Sequence, residues 1–312
     1  MPLKIDETPM LNSIDSIQIH FNSDNLWVVN LTLSLVMFGV ALDIKISDFT
    51  NLLKSPKPVI VGIISQFLLI PLVTFLMIII IQPYPSIALG MMMVAACPGG
   101  NISNFMTKLA GGNTALSVSL TAFASLAALI MTPLNFAIWG SFYEPTAEIL
   151  KSVKVAPAEV ARFVLLILGI PLVIGMVINN YHPNFASKVS RFLKPVSILI
   201  FLAFIAGAFY NNLDIFMEHI HYVFAIVIAH NSLLLLVGFY VARINKLSYL
   251  NQKTLCIETG IQNSGLGLLL VFSFFDGLGG MALLVAFWAI WDILSGLLIA
   301  FFWSDKKKTR IA

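Results

Sequence analysis

The sequence IALGMMMVAACPGGNISNFMTKLAGG, residues 87–112, decides the fold. Its apolar part is long enough to enter a bilayer as a helix, but Pro98, Gly99 and Gly100 interrupt it near the middle. Proline removes a backbone donor and clashes with the preceding turn, and two glycines add freedom, so the helix is expected to unwind here. Freed backbone groups at membrane depth are tolerated where they line a cavity or bind something. This stretch therefore predicts a broken membrane helix at a functional site.

A second interrupted stretch, TLCIETGIQNSGLGLLLVF, covers residues 254–272. Glu258 lies in an otherwise apolar segment, where an ionised carboxylate costs several kcal/mol unless it is paired or coordinated. It therefore needs a cation from outside the chain, a proton or a shell of hydrogen bonds. The structural alternatives are a protonated Glu258 and, for the first stretch, a Pro-kinked packing helix whose Asn and Ser side chains bond neighbouring helices.

Composition places both stretches in a membrane protein. Of 312 residues, 59% are hydrophobic and 11% charged, with a mean hydropathy of +0.93, whereas soluble domains carry roughly 25% charged residues. Runs of apolar residues predict an all-α integral membrane fold with nine transmembrane helices. The predicted spans are 25–44, 58–81, 87–109, 114–139, 160–180, 195–213, 220–242, 251–275 and 279–303.

Charge predicts the orientation. Fourteen of the 18 Lys and Arg residues fall on one side of these spans, and that side is expected to be cytoplasmic. The polar tail 1–24, which has no apolar signal region, is then outside, and the basic tail 304–312 is inside. A plasma (inner) membrane location follows. Residues 140–158 form the longest outer connection and suit a short amphipathic helix.

Interrupted helices in matching positions of two halves are typical of inverted-repeat transporters, which bind substrate and ions near the midplane. The side chains near the breaks are rich in oxygen, which hard cations prefer. Ser117 and Thr121, one turn apart on one face, could join Ser103, Asn104 and Glu258 in one shell. The half-helix N-terminus after the first break would suit an organic anion. Gln66 could meet Gln262 and Glu258 in a second group. Cys97 and Cys256 lack paired spacing and indicate neither a disulfide nor a zinc site.

The chain resembles the bile acid:sodium symporter family. The resemblance is carried by VGIISQFLLIP at 61–71, CPGGNISN at 97–104, GNTALSVSLT at 112–121, ETGIQNSGL at 258–266 and the pair His230 and Asn231. It implies sodium-coupled symport of an organic anion, bile-acid-like or a small organic acid. The implied fold has two crossing broken helices in a core domain, approximately 58–139 and 220–303, which rocks against a panel domain, approximately 25–44 and 160–213.

The resemblance also implies residue roles. The first sodium site is expected at Ser103, Asn104, Ser117, Thr121 and Glu258. The second is expected at Gln66, Glu258 and Gln262 with the carbonyls of Thr259 and Ile261. Asn101 and Asn263 would touch substrate.

Three further residues have roles that the sequence leaves open. His230 could line the cavity or brace the core, beside Asn231. Asp292 follows Trp291 where some relatives carry His-Asn. It is interpreted as a snorkelling or hydrogen-bonded residue, with tuning of ion or proton coupling as the alternative.

Other functions were weighed against symport. A proton-coupled exporter of an organic anion or of a metalloid, with Cys97 near the break, is the alternative within transport. An intramembrane aspartyl protease would need Asp276 and Asp292 to face each other, yet Asp276 lies in an expected turn. No enzymatic activity, organic cofactor or nucleic acid is expected. The expected partners are the bilayer and the substrate, and the chain is expected to be a monomer or a weak dimer.

Overall fold

The computed structural model describes residues 14–15, 26–45, 47–48, 50, 56–153, 157–211 and 213–304, which are helical almost throughout. The helices are α1 (Leu26–Ala41), α2 (Pro56–Ile81), α3 (Pro85–Ala96), α4 (Asn101–Leu109), α5 (Thr114–Phe142), α6 (Glu144–Val153), α7 (157–181), α8 (Pro183–Asn211), α9 (Leu213–Ile244), α10 (Tyr249–Gly260), α11 (Ser264–Phe274) and α12 (Gly279–Ser304).

The length and composition of these helices fit an all-α membrane protein. Five helices in the described part of the chain are long and apolar enough to cross a bilayer, namely α2, α5, α7, α9 and α12. The shorter α3 and α11 are also apolar, and each forms half of an interrupted helix. The expected amphipathic segment within 140–158 is present as α6, whose Thr146 is buried.

Two helices begin well before the predicted spans. α8 begins at Pro183 and α9 at Leu213, whereas the predicted spans begin near 195 and 220. Hydropathy reads only the apolar part of a helix, whereas Lys188 and Arg191 lie in polar turns that continue α8 toward water. Proline at the first position also starts a helix well, because its fixed φ suits the first turn.

A π-helical turn at Ser65–Leu69 interrupts α2 just before Pro71. Proline has no N–H to bond the carbonyl four residues back. That carbonyl, on Phe67, instead accepts a hydrogen bond of 3.1 Å from the Asn135 side chain of α5. The irregular turn leaves Gln66 buried against the interior. A second π-helical turn, Leu165–Gly169 in α7, also comes just before a proline.

The two predicted breaks lie against each other. The first separates α3 from α4, and the second separates α10 from α11. The Asn263 N–H donates to the Pro98 carbonyl at 2.8 Å, and the Gly100 N–H donates to the Ile261 carbonyl at 3.3 Å. This short antiparallel pairing, centred on Gly99 and Gln262, satisfies backbone groups that the breaks release.

The pairing explains the glycines of the first break. A β-carbon on Gly99 would stand 3.0 Å from the Glu258 carbonyl oxygen, and one on Gly100 would stand 3.2 Å from the Gln262 carbonyl oxygen. Both neighbours are backbone atoms that cannot rotate away. Glycine at both positions therefore lets the two breaks approach this closely without a shift of either backbone.

The remaining helices pack around the place where the two breaks meet, residues 98–100 and 261–263, which we call the crossing. α12 packs against α3, α9 packs against α10 and α12, and α1 packs against α7 and α8. Two residues of the predicted polar tail also contact the helical body. Ile14 is 3% exposed within the main core, and the Asp15 carboxylate accepts the Ser86 N–H at 2.8 Å, in the first turn of α3. The rest of that tail, and residues 305–312, lie outside the described residues.

We expect the close contact of α9 with α10 to make Gly238 irreplaceable. A β-carbon there would lie 1.8 Å from the Thr259 hydroxyl oxygen and 2.5 Å from the Leu255 carbonyl oxygen. Gly238→Ala should therefore cost about 1–3 kcal/mol, seen as a lower melting temperature of the purified protein. Gly207→Ala is the control, because a β-carbon at Gly207 meets nothing within 4 Å. Equal melting temperatures for the two variants would contradict this packing.

Candidate functional site

Three hydroxyl groups surround the carboxylate of Glu258. The Ser103 hydroxyl donates to Oε1 at 2.7 Å, the Thr121 hydroxyl donates to Oε2 at 3.0 Å, and the Ser117 hydroxyl also donates to Oε1. Glu258 itself is 5% exposed. In the described part of the chain, its side-chain partners are therefore small neutral hydroxyls.

Asn104 completes the group through its side-chain oxygen. Its Oδ1 accepts from the Ser117 hydroxyl at 2.7 Å and from the Thr121 hydroxyl at 3.2 Å. The structure thus brings together all five residues that the sequence assigned to a first ion site. That they bind sodium stays a prediction.

The oxygens of this cluster outnumber its hydroxyl hydrogens. Ser117 and Thr121 each lie within hydrogen-bond distance of Glu258 and of Asn104 Oδ1, and Ser103 also lies 2.5 Å from the Gly100 carbonyl. A hydroxyl group has one hydrogen, so these three residues cannot satisfy all of those acceptors at once. As oriented, the cluster has surplus acceptor oxygens, the chemical environment that a hard cation prefers.

Local sequence places these side chains. Ser103 and Asn104 lie in the first turn of α4, directly after the first break. Ser117 and Thr121 lie one turn apart on α5, whose start is capped by Asn113 accepting the Leu116 N–H at 3.1 Å. Glu258 lies at the end of α10, directly before the second break. The cluster therefore joins both breaks to α5.

The residues of the predicted second site are also neighbours. The Gln66 side-chain amide donates to the Gln262 side-chain oxygen and to the Cys97 carbonyl, each at 3.0 Å. The Gln262 amide donates to the Thr259 carbonyl at 2.7 Å, and the Ile261 carbonyl is the one that accepts the Gly100 N–H. Both predicted carbonyl ligands thus already accept hydrogen bonds within the crossing.

A small cavity reaches this second group. Its volume is about 20 Å³, and its polar lining comes from Gln66, Glu258 and Thr259. That is room for about one water molecule.

The two predicted substrate residues differ in what the structure describes. Asn263 precedes α11 and caps it, because its side-chain oxygen accepts the Leu266 N–H at 3.2 Å. Asn101 is the first residue of α4, and its side chain lies outside the described residues. Contact of either residue with a substrate stays a prediction.

Asp292 braces the second break. Its Oδ2 accepts the Gln262 N–H at 3.1 Å and the Ser264 hydroxyl at 3.3 Å, and its Oδ1 accepts from the Asn231 amide at 3.3 Å. The side chain is 1% exposed, so it does not snorkel to the membrane surface. Asp292 is therefore a hydrogen-bonded residue of the interior. Its alternative role, tuning of ion or proton coupling, stays a prediction.

His230 and Asn231 connect α9 to three neighbouring segments. The Asn231 amide also donates to the Gly260 carbonyl at 2.8 Å, next to the second break. The His230 ring nitrogen Nε2 lies 2.7 Å from the Thr74 hydroxyl of α2, and the ring meets Trp288 of α12 at 4.8 Å between centroids. His230 is fully buried, which fits a brace of the core.

Lys253, which the sequence reasoning missed, holds the far end of the crossing. Its ammonium donates to the carbonyls of Ala110, at 2.8 Å, and Trp303, at 3.4 Å, near the C-terminal ends of α4 and α12. It also lies over the Tyr249 and Trp303 rings. A cation suits helix C-termini, where carbonyls lack partners. The sequence feature that could have predicted this role is the position of Lys253, a single lysine near the start of a membrane segment.

The two cysteines are buried and unpaired. Cys97 contributes its carbonyl oxygen to the Gln66 contact, while its sulfur lies next to Gly267, 3.7 Å from where a β-carbon would stand. Cys97 therefore packs as a small side chain of the core.

Comparisons with known proteins agree with this chemistry. The model of the Sodium Bile acid symporter family matches residues 30–219. The chain is 33% identical over 284 residues to the uncharacterized sodium-dependent transporter YocS of Bacillus subtilis (strain 168), covering 91% of this chain and 85% of that protein.

Two eukaryotic relatives are longer than this chain. The probable sodium/metabolite cotransporter BASS1, chloroplastic, of Arabidopsis thaliana is 30% identical over 255 residues, 80% of this chain and 60% of that protein. The human ileal sodium/bile acid cotransporter is 29% identical over 242 residues, 77% of this chain and 67% of that protein.

Removing the Asp292 carboxylate should destabilise the second break. Asp292→Ala leaves the Gln262 N–H and the Ser264 hydroxyl without their acceptor, and each buried unsatisfied group costs about 1–3 kcal/mol. The melting temperature in sodium-free buffer should fall clearly. Ser295→Ala is the control one turn further along α12, because within the described residues its hydroxyl bonds only the Asp292 carbonyl, at 3.3 Å. A fall no larger than that of the control would show that Asp292 does not brace the break.

Proposed function

Because this chain belongs to the sodium bile acid symporter family, a family of sodium-dependent transporters, we propose that it carries an organic anion together with sodium by alternating access. The observation that supports this most is the group of hydroxyls around Glu258, where both interrupted helices meet. A buried carboxylate in a membrane protein marks an ion or substrate pathway by default.

The first sodium ion would bind at Ser103, Asn104, Ser117, Thr121 and Glu258. Sodium would replace the short contacts among these oxygens, with Glu258 balancing its charge. The surplus of acceptor oxygens supports this assignment, since a cation satisfies several lone pairs at once. Serine, threonine and asparagine oxygens with one carboxylate also match a hard monovalent ion better than a thiolate-binding metal.

The second sodium ion would bind beside Gln66, Gln262 and Glu258 with the Thr259 and Ile261 carbonyls. The cavity of about 20 Å³ lined by Gln66, Glu258 and Thr259 supports it. Each of these carbonyl oxygens accepts one hydrogen bond within the crossing, and its second lone pair would be available to the ion.

The substrate would bind where the breaks meet, at Asn101 and Asn263. α4 begins without a side-chain cap, so its first N–H groups and its positive dipole end remain suited to an anionic head group. α11, by contrast, is capped by Asn263 and braced by Asp292. The relatives' names, sodium/bile acid and sodium/metabolite cotransporter, support a bile-acid-like or small organic acid.

The transport unit would be an inverted repeat of nine transmembrane helices in the plasma (inner) membrane. The core domain would contain α2–α5 and α9–α12, and the panel domain would contain α1, α7 and α8. The packing of α1 against α7 and α8 supports a separate panel. The N-terminus would face outside and the C-terminus the cytoplasm, as the Lys and Arg distribution favours. The protein would act as a monomer or a weak dimer.

Sodium binding and substrate binding would be coupled because bound ions would make the crossing more rigid. Backbone bonds, the hydroxyl contacts to Glu258 and the bonds from Asp292 and Asn231 hold the crossing. Two bound cations would fix the ends of α4 and α10 that form the substrate site, so sodium would raise substrate affinity. Linkage requires the substrate to raise sodium affinity by the same factor.

Two other functions have weaker support. Proton-coupled or metalloid export would use Glu258 or the Cys97 thiol, but that thiol is buried among apolar atoms. A protease dyad would need Asp276 beside Asp292. Asp276 lies in an exposed turn before α12, whereas Asp292 lies about 20 Å along that helix, at 1.5 Å per residue.

Replacing Glu258 tests both proposed ion sites. Glu258→Gln keeps the side-chain shape but removes the negative charge, so sodium-driven uptake of organic acids into proteoliposomes should fall at least about 100-fold. The sodium-dependent rise in melting temperature should disappear as well. Asp276→Asn, the same change in the exposed turn, should leave both intact. If Glu258→Gln keeps full uptake, or if wild-type uptake runs on a pH gradient with choline in place of sodium, sodium coupling through Glu258 is wrong.

Replacing Gln66 distinguishes the two proposed sodium sites. Gln66→Ala removes one side chain of the second site but none of the first, so the Hill coefficient for sodium should fall from about 2 to about 1. Sodium titrations of substrate uptake measure it. Ser65→Ala is the matched control, because the Ser65 hydroxyl bonds the Val61 carbonyl within its own helix. A Hill coefficient unchanged in Gln66→Ala would contradict the second site.

A further inference from the structure

A groove lies between α2 and α9 at the end of the molecule where α2 begins and α9 ends. Its volume is about 380 Å³, within the range of sites that hold small molecules. Its lining includes Lys57, Ile60, Val61, Ile64, Val241 and Asn245. It lies apart from the residues of the proposed transport site.

The lining changes from polar to apolar with depth. Lys57 and Asn245 lie near the helix ends, whereas Ile60 and Ile64 follow at one-turn spacing on α2 and are 54% and 43% exposed. In a membrane-embedded chain, these positions pass from the head-group region toward the hydrocarbon. A ligand that matches this profile has a polar head and an apolar tail.

The charge at this end is positive. Lys57 lines the groove, Arg243 lies in the last turn of α9, and Lys246 follows three residues later. Residues 49–143 and 219–257, which contain both walls, include no Asp or Glu. One amide hydrogen of Asn245 bonds the Val241 carbonyl at 2.9 Å, which leaves the other to donate elsewhere. The mouth of the groove therefore favours an anionic hydrogen-bond acceptor.

We propose that this groove binds an anionic glycerophospholipid of the surrounding membrane. Its phosphate contacts Lys57 and the Asn245 amide, and one acyl chain lies along Ile60, Ile64 and Val241. Basic pockets between membrane helices bind such head groups through charge, while the acyl chain fills the apolar part. The site does not depend on what the protein transports.

The groove lies beside the helix that contributes Gln66 to the proposed second ion site. Lys57, Ile60 and Ile64 form one face of α2, while Gly62 and Gln66 on the same helix line the small cavity at Glu258. A lipid in the groove therefore rests against the helix that carries Gln66.

Native mass spectrometry of the full chain, titrated with phosphatidylglycerol in detergent, tests the site. Wild-type protein should bind one phosphatidylglycerol more tightly than phosphatidylcholine. Lys57→Gln should weaken phosphatidylglycerol binding about fivefold, since one basic side chain near a membrane surface contributes about 1 kcal/mol. Lys188→Gln, which removes an exposed lysine from α8, is the charge-matched control and should bind as wild type.

Two more variants separate head group from acyl chain. Lys57→Arg keeps the charge and should restore wild-type binding, which also excludes misfolding as the cause of the Lys57→Gln effect. Ile60→Trp should fill the groove and so abolish tight binding of phosphatidylglycerol, although Lys57 is still present. Equal binding of phosphatidylglycerol and phosphatidylcholine, or equal affinities for Lys57→Gln and Lys188→Gln, would overturn the proposal. Tight binding that survives Ile60→Trp would overturn it too.

Discussion

Backbone groups that are released inside a membrane must find partners, and this requirement organises the whole molecule. Two helices are interrupted, and each break supplies partners for the other: the Asn263 N–H bonds the Pro98 carbonyl, and the Gly100 N–H bonds the Ile261 carbonyl. Gly99 and Gly100 favour this contact, because side chains there would press against backbone atoms. Everything proposed about function follows from the side chains that this contact brings together.

The crossing is supported unequally at its two breaks. Asp292 and Asn231 hold the second break through the Gln262 N–H and the Gly260 carbonyl, so these two backbone groups have partners. The first break leads into α4, whose start has no side-chain cap. Glu258 lies between the two, among hydroxyls with too few hydrogens for the oxygens around them. In the proposed function, this asymmetry would let cations and an anion bind side by side, the cations at the carboxylate and the anion at the uncapped helix start.

Local sequence predicted the parts of this arrangement that depend on local chemistry. Pro98 with two glycines predicted a break, and the one-turn spacing of Ser117 and Thr121 placed both hydroxyls on one face. Gln66 was expected from the residues alone to meet Gln262, and the family resemblance assigned both to one ion site. Contacts between distant segments could not be predicted in this way. The Thr74 partner of His230, the Lys253 contacts to two helix ends and the docking of Ile14 each depend on the packed fold. The first turns of α8 and α9 lie outside the predicted spans because hydropathy does not register polar helical turns.

The most direct test of the central claim is to locate a monovalent cation at Glu258. Thallium(I) replaces sodium or potassium in many oxygen-lined environments and scatters X-rays anomalously. Crystals grown with thallium in place of sodium should show an anomalous peak enclosed by Glu258, Ser103, Asn104, Ser117 and Thr121. That peak should vanish in Glu258→Gln and weaken as sodium is added. A well-ordered crossing with no peak there, in protein whose transport thallium supports, would contradict the account.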